Sequence, residues 1–207
     1  MDLQCSRQRT ADGGTRWLRR LASVGLIGVI ALSQWGCVSS QRAAEMEAAA
    51  AENSAMTGRA APDFTLPNQD GELVTLSSHG GEWVVLYFYP EDGTPGCTCQ
   101  AQEFTRSHAA FEQLAANVFG VSPDTVASHA QVAEKFELAI DLLADPERNV
   151  MPLYGAWVRT PFGGRVVRST VLVDPQGTVA YHWPEVIPEG HADRVRMKLE
   201  ELKAARP

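Results

Sequence analysis

The sequence contains few cysteines: its 207 residues include 4. A small protein held together by disulfides needs a much higher density, so that class of fold is excluded. Basic residues are also in deficit, with 18 Lys and Arg against 25 Asp and Glu and a formal charge of −7. Such a chain lacks the basic face that nucleic-acid binding requires, so we predict no nucleic-acid partner. Hydrophobic residues make up 44% of the sequence, which suits a packed core and excludes wholesale disorder.

Metal-binding patterns are missing as well. The five histidines show no i, i+4 pair and no recognisable ligand spacing. They are His79, His108, His129, His182 and His191. We expect surface or packing roles for them and predict no metal and no cofactor. The Cys-x-x-Cys motif of disulfide reductases is also absent, which argues against that activity.

The beginning of the chain has the layout of an export signal. Arg16, Arg19 and Arg20 precede an uncharged run, LASVGLIGVIALSQWG. At about 16 residues this run is short for a membrane-spanning helix, and a positive region before it is typical of a secretory signal. Cys37 follows Gly36 directly after the run, which resembles a lipoprotein signal whose cysteine is acylated, although the two residues before Gly36 depart from the usual pattern. An uncleaved signal anchor and ordinary cleavage are the alternatives.

All three interpretations place the rest of the chain in the bacterial cell envelope, tethered to the membrane if Cys37 carries lipid. Residues 38–60 are rich in Ala, Ser and Glu and nearly free of large apolar side chains. Because they offer no face to bury, we expect a flexible tether. The predicted organisation is an export signal at 1–36, a tether at 37–60 and one domain at 61–207.

The domain alternates between strand and helix patterns. A hairpin is predicted within 61–76, with its turn at Asp70-Gly71. Further strands are predicted at 83–89, 117–121, 140–143, 169–173 and 179–183, and helices at about 97–116, from an N-cap at Asp124 to 138, and at 191–205. This order indicates an α/β fold of the thioredoxin-like type, with an N-terminal hairpin and a central mixed sheet that has helices on both faces.

Cys97 is the most informative residue of the domain. It lies in the stretch PEDGTPGCTC, where a buried strand gives way to a helix. The unpaired N–H groups and the positive dipole at a helix N-terminus stabilise a thiolate, which is the nucleophilic and oxidisable form of cysteine. A buried, inert cysteine is the alternative, but the neighbouring Gly and Thr residues offer little apolar cover.

At these residues the chain resembles the peroxiredoxins, and most closely the PrxQ or bacterioferritin-comigratory subfamily. Pro90, Thr94 and Cys97 match the pattern of a proline, three residues, a threonine, two residues and a cysteine, within the fuller string VVLYFYP…TPGCT. Similar stretches begin at Ala61 with APDFTL and at Arg168 with RSTVLVD. The resemblance covers nearly the whole domain, and it implies the peroxiredoxin form of the thioredoxin-like fold.

The resemblance also implies roles for individual residues. Cys97 is the peroxidatic cysteine, which attacks a peroxide and becomes a sulfenic acid. Thr94 hydrogen-bonds the thiolate and orients the peroxide, and Arg168 holds positive charge beside the sulfur. Pro90 shields the sulfur from water, and the main-chain N–H groups of Gly96 and Cys97 complete the peroxide cradle. The substrates are hydrogen peroxide and small organic hydroperoxides.

One departure from the subfamily concerns the resolving cysteine. Many members carry it five residues after the peroxidatic one, where this chain has Gln102. Cys99 is the other cysteine of the domain, and two residues apart on an intact helix is a poor geometry for a disulfide with Cys97. Cys99 as resolving cysteine, Cys99 bonded to another partner, and resolution by an external thiol therefore remain open. A thioredoxin-like protein or a small thiol is the expected reductant, and a monomer or weak dimer the expected assembly.

A second class of function is a membrane-tethered copper carrier or thiol–disulfide chaperone of the same fold. Cys97 and Cys99 would then serve as soft ligands for Cu(I). Copper carriers of this fold typically use Cys-x-x-x-Cys with a distant His, so the spacing here does not fit. The set formed by Pro90, Thr94 and Arg168 also has no purpose in that interpretation. The sequence therefore favours the peroxidase.

Overall fold

The computed structural model describes residues 45–51, 54–161 and 163–206. The predicted export signal at 1–36 and the predicted lipidation site Cys37 lie outside these residues. Within the described part of the chain, every helix is too short or too polar to span a membrane.

The strands form a central mixed sheet and two separate hairpins. They are β1 (Thr65–Pro67), β2 (Leu73–Thr75), β3 (Trp83–Phe88), β4 (Ala116–Ser122), β5 (Asp141–Ala144), β6 (Trp157–Thr160), β7 (Gly163–Val166), β8 (Ser169–Val173) and β9 (Val179–Trp183). The central sheet has the order β5-β4-β3-β8-β9, with β3 parallel to β4 and antiparallel to β8. All six residues of β3 are buried, as its continuous apolar run predicts for a strand covered on both faces. The predicted thioredoxin-like sheet and the N-terminal β1–β2 hairpin are confirmed.

Four α-helices are described in the domain, and two of the three predicted helices differ from them. They are α1 (Pro95–Arg106), α2 (His108–Gln113), α3 (Val126–Phe136) and α4 (His191–Ala204). The single helix predicted at 97–116 is divided at Ser107, which has a non-helical ψ of 1°. Thr125, not Asp124, is the N-cap of α3, because its side chain accepts the main-chain N–H of Ser128. The side chain of Asp124 instead accepts the main-chain N–H of Asp92, in the loop that precedes α1.

The α-helices lie on one face of the sheet. The chain moves in the same direction from β3 to β4 and from β4 to β5, so right-handed crossovers place α1, α2 and α3 on one side. Their apolar side chains form one core with Val85 and Tyr87 of β3 and with α4. The other face, which includes Leu86, packs against the N-terminal hairpin and the 3₁₀ helices Leu76–His79 and Met151–Tyr154. The predicted helices on both faces are therefore α-helices on one face and these two 3₁₀ helices on the other.

Part of the predicted tether is packed against the domain. Residues 45–51 are helical, and Glu47 is 4% exposed. Its carboxylate accepts hydrogen bonds from Arg194 Nε at 2.8 Å and Nη2 at 2.9 Å, and from the main-chain N–H of Ile187 at 2.7 Å. The structure therefore departs from the flexible tether predicted for 37–60. The reason is a buried ion pair between residues 147 positions apart, which local composition does not reveal.

The β6–β7 hairpin was not predicted. It occupies the segment before Arg168, and its strands pair antiparallel from Trp157 with Val166 to Thr160 with Gly163. Most of its residues are exposed, so the sequence has little of the hydrophobic patterning that indicates a strand. The hairpin brings the chain back to the central sheet, where Arg168 immediately precedes β8.

Candidate active site

Cys97 lies in the first turn of α1, as the sequence predicts. The helix begins at Pro95, and Thr94 precedes it in an extended conformation with a ψ of 148°. Proline suits the first helical position because its missing N–H would have no partner there. The other main-chain N–H groups of this turn lack helical acceptors, and the helix dipole makes this end positive. Cys97 therefore lies where a negative charge is favoured.

A guanidinium lies directly beside the sulfur. Arg168 Nη2 is 3.1 Å from Cys97 Sγ. The other terminal nitrogen, Nη1, donates to Oε1 of Gln100 at 2.5 Å. Gln100 follows Cys97 by three residues, so the two side chains lie on the same face of the helix. The guanidinium and the helix N-terminus together place positive charge beside this sulfur.

Cys97 is 4% exposed, which is more burial than its sequence neighbours indicate. The cover comes from residues that are distant in the sequence. Val132 and Leu142 line a small cavity of about 10 Å³ together with Cys97. Across the helix, a Cβ on Gly96 would lie 3.5 Å from Pro188 Cγ. Because this sulfur also contacts a cation, it differs from the inert, purely apolar cysteine considered as the alternative.

The remaining predicted site residues surround this centre. The hydroxyl of Thr94 donates to the main-chain oxygen of Glu91 at 3.2 Å, so its proton is not directed to the sulfur here. Pro90 is exposed and follows the buried Tyr89, one residue beyond the end of β3. The Cβ position of Gly96 is 3.8 Å from Arg168 Nη2, so this glycine borders the guanidinium. The roles of Thr94, Pro90 and the Gly96 N–H group stay predictions.

Cys99 is not joined to Cys97. Cys97 is a free thiol, whereas Cys99 is disulfide-bonded to a partner that is not among the described residues. On an α-helix, residues two positions apart point in nearly opposite directions. A direct bond between the two sulfurs requires the first turn of α1 to unwind, so a resolving role for Cys99 stays a prediction.

Sequence reasoning missed two polar residues at this site. Gln100 is fully buried and holds Arg168, and its i+3 spacing from Cys97 is the signal that could have identified it. Asp92 lines the same small cavity as Cys97, and its main-chain N–H donates to Asp124 at 2.9 Å. Little in the local sequence marks Asp92, because three of its four partners, Asp124, Ser128 and His129, lie more than 30 residues away.

Tyr87 belongs to the same buried cluster as Cys97. Its ring stacks on Phe104 with centroids 4.7 Å apart and on Tyr89 at 5.6 Å. Burial raises the pKa of Tyr87 far above its ordinary value, and a negative charge on Cys97 raises it further. Tyr87 therefore remains a neutral phenol, and it adds no charge that would compete with the thiolate for Arg168.

The site does not coincide with a large cavity. Cavities of about 250 Å³ and 490 Å³ lie elsewhere, and neither is lined by Cys97 or Arg168. A molecule the size of hydrogen peroxide needs little room, so the contact between sulfur and guanidinium is the better guide to the reaction centre. Among the described residues, no group of three His, Cys, Asp or Glu side chains is arranged to hold a metal ion.

Comparisons with known proteins identify the family of this chain. The model of the AhpC/TSA family matches residues 57–182, which is more than half of the chain. The peroxiredoxin Bcp of Bacillus subtilis is 38% identical over 149 residues, which cover 70% of this chain and 95% of that protein.

Solved structures give the same result for the fold. The bacterioferritin comigratory protein of Xanthomonas campestris, described for its alkyl peroxide reduction activity, superposes with a TM-score of 0.65 and 32% identity, covering 67% of this chain and 90% of that one. BcpB from Mycobacterium tuberculosis superposes with a TM-score of 0.65 and 32% identity, covering 73% of this chain and 99% of that one.

Proposed function

Because this chain belongs to the AhpC/TSA family and is related to the PrxQ/Bcp peroxiredoxins, we propose that it is a thiol-dependent peroxidase with Cys97 as its reacting residue. The observation that carries this assignment is the 3.1 Å distance between Arg168 Nη2 and Cys97 Sγ at the N-terminus of α1. Within the described domain, Cys97 is the cysteine whose sulfur contacts a guanidinium.

The first half of the reaction is a displacement at oxygen. The Cys97 thiolate attacks the distal oxygen of a peroxide, a sulfur–oxygen bond forms and the oxygen–oxygen bond breaks. The thiolate and the hydroperoxide give a sulfenic acid and an alkoxide or hydroxide, which takes up a proton as alcohol or water. Arg168 stabilises the thiolate and then the charge that develops on the departing oxygen. Thr94, Pro90 and the Gly96 and Cys97 N–H groups would orient the peroxide for in-line attack.

The second half of the reaction restores the thiol. We assign it to an external thiol, because Gln102 occupies the usual resolving position and Cys99, two residues from Cys97 on the same helix, points in nearly the opposite direction. The thiol attacks the sulfenic sulfur, which forms a mixed disulfide and releases water. A second thiol then reduces the mixed disulfide, so that two thiols are oxidised to one disulfide for each peroxide reduced. A thioredoxin-like protein or a small thiol supplies these two electrons.

The copper-carrier alternative is not favoured by the site. A cationic guanidinium 3.1 Å from the sulfur opposes the approach of Cu(I), and Cys99, two residues along the helix, points away from Cys97 rather than toward a shared ligand site.

We further propose export to the cell envelope and lipid attachment at Cys37. The support is the arrangement of arginines, apolar run and cysteine in the sequence. Acylation uses the Cys37 sulfur in a thioether, so it excludes a disulfide at that residue, and on this proposal the disulfide of Cys99 belongs to the unprocessed chain alone. Mass spectrometry of the membrane-extracted protein tests this: a diacylated N-terminal Cys37 is expected, and an unmodified residue or a disulfide there contradicts it.

The peroxidase assignment is tested by trapping the intermediate. The full chain is treated with one equivalent of hydrogen peroxide in the presence of dimedone, which reacts with sulfenic acids, and is mapped by mass spectrometry. We expect the adduct on Cys97 and none in the Cys97→Ser variant. If Cys97 remains unmodified under conditions that oxidise a free thiol, the assignment is wrong.

A further inference from the structure

A buried carboxylate anchors the loop that leads into the cysteine helix. Asp92 lies between β3 and α1, and its side chain is 5% exposed. Its Oδ1 accepts the Tyr89 hydroxyl at 2.8 Å, and its Oδ2 accepts the Ser128 hydroxyl at 2.7 Å and contacts His129 Nδ1 at 2.8 Å. One carboxylate thus joins the end of β3 to the first turn of α3.

The main chain of the same residue is also fixed. Its N–H donates to Asp124 Oδ2 at 2.9 Å, and that oxygen accepts the Ser122 hydroxyl at 2.7 Å. Asp92 therefore holds the loop to the end of β4 as well. We call the hydrogen bonds of Asp92 with Tyr89, Ser128, His129 and Asp124 the loop anchor.

The negative charge of the Asp92 carboxylate stabilises the hydrogen bonds of the loop anchor. Burial alone would raise the pKa of Asp92, but hydrogen bonds from His129, Ser128 and Tyr89 outweigh burial and hold it below its ordinary value. The residue is therefore an anion at neutral pH. A buried anion that meets three donors is costly to separate from them.

The loop anchor is directly connected to the reacting sulfur. Asp92 precedes Cys97 by five residues, and both line the cavity of about 10 Å³. The intervening loop carries Thr94, the N-cap of α1, so we expect a shift of Asp92 to displace the start of that helix. Such placement matters, because an error of about 1 Å in the alignment of reacting groups can lower a rate by about 100-fold.

The two half-reactions place opposite demands on this loop. Peroxide is small enough to react with a sulfur that is 4% exposed, but a thiol reductant that must attack the same sulfur is larger. Resting on the proposed peroxidase function, we propose that Asp92 is a positioning residue: the loop anchor keeps Cys97 aligned for peroxide, and its release admits the reducing thiol. The anchor thereby sets the balance between oxidation and reduction.

The test compares Asp92→Asn with a matched control, Asp174→Asn. Asp174 is also a buried carboxylate, 7% exposed, and it accepts the main-chain N–H groups of Gln176 and Thr178 in a turn remote from Cys97. Stopped-flow measurements on the full chain give the rate of Cys97 oxidation by hydrogen peroxide and the rate of sulfenic acid reduction by a fixed thiol. For Asp92→Asn we expect oxidation about 10-fold slower and reduction several-fold faster. For Asp174→Asn we expect the ratio of the two rates to be unchanged.

A milder variant and a measurement without peroxide complete the test. Ser128→Ala removes one donor from the anchor, and we expect a smaller change in the same direction. Alkylation of reduced Cys97 by iodoacetamide reports loop opening even if the chain is not a peroxidase, and it should be faster in Asp92→Asn than in Asp174→Asn. If the two Asn variants alter both half-reactions and alkylation alike, Asp92 contributes only general stability and the proposal is overturned.

Discussion

Two cysteines in one helical turn have opposite surroundings in this molecule. Cys97 is a free, buried thiol 3.1 Å from a guanidinium, whereas Cys99 is half-buried and disulfide-bonded. Both are close to the same helix N-terminus, so the dipole does not distinguish them. The difference lies in Arg168, which comes from the start of a strand 71 positions away in the sequence. Reactivity at this turn is therefore assigned by tertiary contacts rather than by the local sequence.

The largest expected effect comes from removing each sulfur in turn. Cys97→Ser should abolish peroxide reduction, because a serine hydroxyl is not ionised near neutral pH and is a much weaker nucleophile. Cys99→Ser should leave the rate of the peroxide step within about twofold of the parent chain, since its sulfur does not contact Arg168. Stopped-flow oxidation with hydrogen peroxide separates the two. Equal loss in both variants would mean that the turn acts as a dithiol unit.

Replacing Arg168 should reduce the difference in reactivity toward peroxide between Cys97 and Cys99. Arg168→Ala takes away the cation that stabilises both the thiolate and the departing oxygen, and we expect the peroxide step to slow by about 100- to 1,000-fold. Arg168→Lys keeps a charge but not the two-nitrogen contact with Cys97 and Gln100, so its loss should be intermediate. The measurement is the second-order rate constant for Cys97 oxidation.

Arg165→Ala is the control for this prediction. Arg165 is an exposed residue of β7, three positions before Arg168. Its replacement by alanine removes the same charge as Arg168→Ala but leaves the contact between Arg168 and Cys97 in place. We expect no change in rate there. If Arg165→Ala and Arg168→Ala slow the reaction equally, the effect comes from overall charge rather than from the contact at Cys97.

The neutral partner of Arg168 offers a finer adjustment. The side-chain oxygen of Gln100 accepts a hydrogen bond from the Arg168 guanidinium and, because it is neutral, leaves the positive charge uncompensated. Gln100→Glu would place a carboxylate at the same position, where it would compete with the sulfur for the cation. We expect less thiolate absorbance at 240 nm near pH 7 and a peroxide step slower by about 3- to 10-fold, with little loss of stability. An unchanged thiolate signal would show that Gln100 has no electrostatic influence on Cys97.

The sequence predicted much of this site because several signals are local. The buried run of β3, the junction between that strand and a helix, and the spacing from Pro90 through Thr94 to Cys97 all lie within one short segment. The junction between strand and helix places Cys97 in the first turn, and the positive end of the helix dipole then follows from the backbone alone. Arg168 was predicted through the family resemblance rather than through any property of its neighbours.

What the sequence did not predict depends on contacts between distant residues. The burial of Cys97 comes from Val132, Leu142 and the chain around Pro188, and the Asp92 anchor depends on residues of α3. The docking of 45–51 rests on one buried ion pair in an otherwise featureless segment. Composition and periodicity describe one element at a time, and they carry no information about which elements meet.

The smallest expected effect concerns the cover over Cys97. Glu47 holds Arg194 and the main-chain N–H of Ile187, and the adjacent Pro188 packs near Gly96 beside the sulfur. Glu47→Gln should loosen this cover, so we expect Cys97 to be alkylated by iodoacetamide about twofold faster. Separating a buried ion pair is costly, but Arg194 is 23% exposed, so we expect a loss of about 2 kcal/mol in the free energy of unfolding. Glu45→Gln, in the same helical segment but exposed, is the matched control and should change neither quantity.

The pH dependence of stability identifies the Glu47 charge as the cause. Burial raises the pKa of Glu47, but the His191 ring 3.7 Å away and the hydrogen bonds from Arg194 and the Ile187 main chain prevail and hold it below its ordinary value of 4.5. A lowered pKa in the folded state means that the carboxylate contributes its full stabilisation above about pH 4.5 and loses it as the pH falls through the lower folded value. The difference in unfolding free energy between the parent chain and Glu47→Gln, measured by urea denaturation, should therefore be largest at pH 7 and shrink toward pH 3. A difference that stays constant over this range would assign the effect to packing of the side chain, and the ion pair would then have no part in covering Cys97.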